Sequence, residues 1–166
     1  MDELTKEQLL DNMAPCSLLC YTCPGFIRGI ICELSAKLEN YFKGFYDFQV
    51  ENLPEEIKSY AEAFKTFEER LVRYTKPRCN GCRNNPDPDC TIKGCFILEC
   101  TREHSIEYCG ECGEFPCNKV NTDLFNPTIY NRWLNGNKRI QEAGAEQFFQ
   151  KKKRESHYID FMKEDS

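Results

Sequence analysis

The sequence predicts a mostly α protein: a small helical domain with irregular cysteine loops and little or no sheet. Three observations carry that reading. Apolar residues recur at helical spacing in two long stretches, around 27–45 and 57–71. Runs alternating apolar and polar residues, as a half-buried strand requires, are scarce. Eight of the 12 cysteines crowd into residues 79–117, where Asn-Gly, Asn-Asn-Pro and Asp-Pro-Asp favour turns over regular structure.

Taken in order, residues 3–13 predict a short helix, with Thr5 and Gln8 spaced as a weak capping box. Cys16, Cys20 and Cys23 follow as Cys-x3-Cys-x2-Cys. Pro24 suits a first helical position, and Ile27, Ile30, Ile31, Leu34, Leu38 and Tyr41 continue an apolar stripe to about Gly44. Leu53-Pro54-Glu55-Glu56 opens a second long helix whose face is Ile57, Tyr60, Ala61, Phe64, Phe67 and Leu71, ending before Pro77. This pair is expected to pack antiparallel and to supply most of the apolar core. A short helix is expected from about Gly94 to His104, another from Asn126-Pro127 to Asn135-Gly136, and a weaker one over 138–154. Phe125, Tyr130 and Trp133 are expected in the core rather than on a partner surface. The tail aromatics Tyr158 and Phe161 leave docking or looseness open. The whole, 1–166, reads as one cysteine-rich metal-binding domain, with a motif-bearing core at about 14–120 and a helical extension over 121–166.

Composition narrows the function. The formal net charge is −5, which disfavours non-specific nucleic-acid binding, a process that rests on phosphate neutralisation. The basic run Lys151–Arg154 reads as a solvated helix face. No apolar run approaches the ~20 residues of a membrane span. The polar, acidic start Met1-Asp2-Glu3-Leu4 lacks a secretory pattern, so a cytoplasmic protein with reduced thiols is expected, rather than a disulfide framework.

Metal thiolate sites then explain the cysteine spacing best. Structural zinc takes four thiolate or imidazole ligands in a tetrahedron with Zn–S bonds of about 2.3 Å. Cys79-Asn80-Gly81-Cys82 and Cys109-Gly110-Glu111-Cys112 carry glycines where tight turns need them. The candidate ligands are Cys16, Cys20, Cys23, Cys79, Cys82, Cys90, Cys95, Cys100, Cys109, Cys112 and Cys117, enough for two or three zinc ions. If residues 95–100 are helical, Cys95 and Cys100 stand about 140° apart around the axis. Cys95 then goes with Cys79, Cys82 and Cys90, and Cys100 with Cys109, Cys112 and Cys117. Cys16, Cys20 and Cys23 remain short of a ligand. Cys32 would lie about 12 Å along a helix begun at Pro24, too far for sulfurs that must sit within about 4 Å of each other. A downstream cysteine, His104 or nothing completes the triad, and His104 reads more readily as a surface residue.

No catalytic residue is assigned. With only two histidines, a zinc held by three imidazoles is excluded. Cys-x3-Cys-x2-Cys also occurs in radical S-adenosylmethionine enzymes, but their large α/β barrel does not fit this chain. A dithiol motif at Cys20–Cys23 lacks the strands such a motif sits on. Iron–sulfur ligation uses the same thiolates and stays open.

The motifs together resemble a family of small cysteine-rich prokaryotic proteins, a domain of unknown function whose members are taken to bind zinc. Cys16-Ser17-Leu18-Leu19-Cys20-Tyr21-Thr22-Cys23 resembles that family's Cys-Gly-Leu-x-Cys-x-x-Cys opening. Cys79-Asn-Gly-Cys82, Cys95-Phe-Ile-Leu-Glu-Cys100 and Cys109-Gly-Glu-Cys112-Gly-Glu-Phe-Pro-Cys117 are similar to its later motifs. Ser17 and Leu98 depart from the family's glycine and arginine. The resemblance implies metal binding and a compact fold, and no reaction. The resulting expectation is a zinc-binding protein, its metal mainly structural, acting as a binding or scaffold module for an unknown protein partner. The rival is an iron–sulfur or thiol redox protein, an enzyme in some versions, working at Cys16, Cys20 and Cys23.

Overall fold

In a computed structural model of the chain, the described residues are 4–84, 92, 94–121 and 123–161. They are mostly helical: α1 (Lys6–Asn12), α2 (Ile30–Phe42), α3 (Phe45–Asn52), α4 (Lys58–Tyr74), α5 (Ile97–Glu103), α6 (Pro127–Ala143) and α7 (Ala145–Lys152). Single 3-10 turns occupy Glu55–Ile57, Cys109–Glu111 and Ile159–Phe161. Among the described residues strand pairing is limited to two isolated bridges, Met13 with Leu19 and Phe26 with Cys79. None of the described helices is long and apolar enough to cross a membrane.

Local chemistry sets the helix ends. At α1 the Gln8 N–H donates to Thr5 Oγ1 (3.2 Å) and the Thr5 N–H donates to Gln8 Oε1 (2.9 Å), closing the expected capping box. At α6 the Ile129 N–H donates to Asn126 Oδ1 (3.0 Å), and Pro127 fills a position whose N–H would have no helical partner. Gly44, at φ +83°, turns the chain between α2 and α3.

Three helix boundaries differ from expectation. α2 begins at Ile30, not Pro24; residues 24–29 instead form turns in which the Ile27 N–H donates to the Cys79 carbonyl (3.0 Å) and the Cys79 N–H to the Gly25 carbonyl (3.1 Å). A nearby strand-like segment outcompetes local helix propensity there. α5 begins at Ile97, after Cys95. α6 runs straight through Asn135-Gly136 to Ala143 and stops at Gly144, which has φ +84°.

The core is also not where the periodicity put it. The second long helix and α2 pack on each other, and α3 packs on α4, but between them only Ser35, Ala61 and Leu71 are buried. Phe42, Phe45, Phe64 and Phe67 make edge-on and tilted ring contacts at centroid distances of 4.9–6.0 Å, while Tyr41 is 84% exposed. The α2–α4 segment is therefore an arm with a thin aromatic seam. The main core joins the N-terminal loop to the C-terminal helices. One cluster is Met13, Leu19, Tyr108, Ile140, Phe148 and Phe149; the other is Ala14, Cys16, Ile97, Val120, Phe125 and Trp133. Trp133 and Phe125 are fully buried, as expected of them, and the tail docks on α6 through an Arg132 Nε–Asp160 Oδ2 ion pair of 2.9 Å.

Candidate metal centre

The N-terminal cysteine loop is folded by its own backbone. The Ser17 N–H donates to the Ala14 carbonyl (2.9 Å), the Cys23 N–H to the Cys20 carbonyl (2.9 Å) and the Phe26 N–H to the Cys23 carbonyl (3.1 Å). These turns point Cys16, Cys20 and Cys23 inward from a short stretch. Ser17 sits at φ +67°, the left-handed region that favours glycine. The turn takes the conformation that glycine prefers, and serine bears it.

A buried amide holds that strained turn. Asn137 is fully buried on α6. Its Nδ2 donates to the Trp133 carbonyl (2.8 Å), to Ser17 Oγ (3.2 Å) and to the Cys16 carbonyl (3.3 Å). Its Oδ1 accepts from the Gly110 N–H (2.9 Å). One side chain thereby ties both cysteine loops to α6, and both loops come very close to the helix. A Cβ on Gly110 would stand 2.4 Å from the Asn137 carbonyl oxygen, and one on Gly136 would stand 2.3 Å from Ser17 Oγ. Sequence reasoning missed this hub because Asn135-Gly136 resembles a helix end.

The loop carrying Cys79 and Cys82 docks beside the first. The backbone bridge between Phe26 and Cys79 sets the approach, and Gly81, at φ +86°, lies over the buried Phe26 ring. A Cβ on Gly81 would be 3.9 Å from Cys20 Sγ, and the Gly81 N–H reaches Cys79 Sγ at 3.4 Å. Burial pushes the Cys20 thiol up to about 12, helped by Cys82, Cys79 and Cys23 and opposed by the Cys82 N–H. Cys20, Cys23, Cys79 and Cys82 are thus one neighbourhood, drawn from two Cys-x2-Cys segments at the root of the arm. The sequence grouping, which set Cys79 and Cys82 with Cys95 and left Cys20 and Cys23 aside, assumed a helix over 95–100 that starts only at Ile97. Cys90, the other member of that grouping, lies outside the described residues.

A second neighbourhood gathers Cys100, Cys109, Cys112 and Cys117. Burial raises the Cys100 thiol, Lys119 opposes, and Cys117 and Cys112 add to the rise. Burial takes Cys109 to about 11; Trp133 opposes, and Cys117, Cys100 and Cys95 reinforce. The Trp133 Nε1 proton meets no acceptor at full hydrogen-bond geometry, yet it faces the Cys109 sulfur and favours its thiolate. Cys16, wholly buried, lies between the two groups and is raised by burial, then by Cys82, with smaller contributions from Cys95 and Cys109. His104 is exposed, its Nδ1 2.8 Å from the Cys100 carbonyl oxygen and 3.8 Å from Cys100 Sγ. Cys32 stands apart, its Sγ 3.8 Å from the Thr75 carbonyl oxygen at the far end of α4.

Among the described residues, no three His, Cys, Asp or Glu side chains stand close enough together to hold an ion as placed. The chemistry of the donor sets fits such an ion: crowded, buried thiols are costly to ionise alone, and a dication reverses that cost.

Residues 12–122 match the DUF3795 family, described as a protein of unknown function. The chain belongs to that family. The DUF3795 match begins at the last residue of α1 and spans the arm and every cysteine; α6 and α7, which close the core over those loops, lie beyond it. No curated protein and no solved structure matches the chain.

Proposed function

We propose that the protein binds zinc at two all-cysteine sites, one using Cys20, Cys23, Cys79 and Cys82 and the other Cys100, Cys109, Cys112 and Cys117, with the metal mainly structural. The observation carrying this reading is that Cys20 and Cys79–Cys82, separated in sequence by the whole arm, meet through the Phe26–Cys79 bridge and the close approach of Gly81 to Cys20 Sγ. Irregular loops with few apolar residues gain a reason to fold if an ion joins them. In this reading Cys16 and Cys95 are neighbours of the sites rather than required ligands. The exposed aromatic face of the arm supports a role in holding a protein partner, so the body acts as a metal-stabilised scaffold.

Elemental analysis of anaerobically purified protein tests it. The expected result is a colourless protein carrying about two zinc ions per chain, as two four-thiolate sites demand. Cys20→Ser should lose one ion and Cys112→Ser the other. A brown protein containing iron and sulfide, or fewer than two metals per chain, overturns the proposal.

A further inference from the structure

A polar cavity of about 380 Å³ is lined in part by Ser17, Leu18, Leu19 and Thr22 of the N-terminal cysteine loop. One wall is α6, which presents Thr128, Arg132, Asn135 and Arg139 at spacings of four, three and four residues, a single helical stripe. The facing wall is the turn between Cys16 and Cys23, with the end of α7 and the tail closing the sides. Small-molecule sites combine such a concavity with a few convergent polar groups.

The charges on the wall do not cancel. Lys152 is paired with Glu155, and Arg132 with Asp160 at 2.9 Å. Arg139 lines the same cavity and has no ion pair among the described residues. Three cations against two carboxylates leave one positive charge over, in a chain whose formal net charge is −5. His157 adds no charge near neutral pH: burial and the adjacent Arg132 lower it to about 4, and its Nδ1 lies 3.2 Å from the Thr22 hydroxyl. Hydroxyl and amide side chains, Ser17, Thr22, Thr128 and Asn135 among them, line the same cavity, so it offers a guanidinium for a planar or tetrahedral oxyanion and hydrogen bonds for hydroxyls.

We propose that this cavity binds a small hydroxylated oxyanion, a phosphate or a carboxylate, with Arg139 as its principal cation. The site is independent of the metal reading, although its floor is the same loop that carries Cys16, Cys20 and Cys23. Occupancy would therefore brace that loop.

Titration calorimetry on the full chain, with inorganic phosphate and separately with citrate, decides it. Saturable binding of at least one is expected, and the preferred probe tells phosphate from carboxylate chemistry. Arg139→Gln should weaken that binding about tenfold or more, the effect of losing one charge-assisted contact. Asp160→Asn, which removes one of the two carboxylates lining the cavity, should tighten it. Arg139 is exposed, so Arg139→Gln should fold normally, with its melting curve as the check. The inference fails if neither probe saturates below about 10 mM, the range of very weak sites, or if Arg139→Gln binds like the parent protein. Metal content measured on the same samples separates this failure from failure of the zinc reading.

Discussion

The arm and the body of this protein use helix-forming sequence to opposite effect. The arm, α2 to α4, carries apolar residues at helical spacing, yet Leu34, Leu38, Tyr41, Phe48 and Tyr60 on it are all exposed. The body has broken loops, glycines and a polar amide at its centre, yet it buries Trp133, Tyr108, Phe125 and Met13 almost completely. Periodicity reports which face of a helix can be covered; what covers it is decided elsewhere. In the arm the cover is a seam between two helices, and in the body it is the N-terminal loop and the C-terminal helices closing on two buried clusters tied by Asn137.

Metal removal should separate the two regions most sharply. Structural zinc contributes about 10 kcal/mol or more of apparent binding energy. A chelator should therefore erase the near-UV dichroism of buried Trp133 while much of the far-UV helical signal of the arm persists. Loss of both signals together would show that the arm depends on the body, and loss of neither would show that metal does not hold the body.

Next come paired truncations. Trp133→Ala should cost about 3–5 kcal/mol and Phe64→Ala about 1–2 kcal/mol, because the first is fully buried and the second only half so. Urea midpoints at fixed metal loading measure both, and equal shifts would erase the distinction. Gly136→Ala is a finer probe. In an ordinary helix interior alanine is favoured over glycine by about 1 kcal/mol. Here its Cβ would strike Ser17 Oγ, so a loss of about 1–3 kcal/mol is expected. Gly113→Ala, where a Cβ meets nothing within 4 Å, is the control and should be nearly neutral.

A smaller effect is expected from pH. His157 holds no proton in the folded body until about pH 4, whereas an unfolded chain protonates it near its ordinary 6.5. Between those values the unfolded state binds more protons, so stability falls as pH drops from 6.5 towards 4. The fall should be shallower in His157→Gln, read as the difference between the two proteins' urea midpoints at pH 7 and pH 5. The smallest change should come from the arm: Tyr41→Ser, at an 84% exposed position, should shift stability by no more than about 0.5 kcal/mol.

Several features were legible without tertiary information. The Thr5–Gln8 capping box, the Asn126-Pro127 start of α6 and the helical class all follow from chemistry local to a few residues. Sequence spacing set Cys100 with Cys109, Cys112 and Cys117, which do lie near one another. It did not set Cys20 and Cys23 with Cys79 and Cys82, because the contacts that bring Cys20 to Cys79 and Cys82 span the whole arm.

By itself, then, the sequence determined the helical class, the Thr5–Gln8 and Asn126 caps and the supply of thiols in Cys-x2-Cys turns, because each is set by neighbours within about one helical turn. Only the tertiary structure decided which thiols face each other, where the core lies and why α6 passes through Gly136 unbroken. A glycine that locally reads as a stop is instead the one residue small enough for Ser17 to touch, and Asn137 beside it anchors both cysteine loops. Close approach between distant segments leaves no periodic trace along the chain, so it becomes visible only when the segments meet.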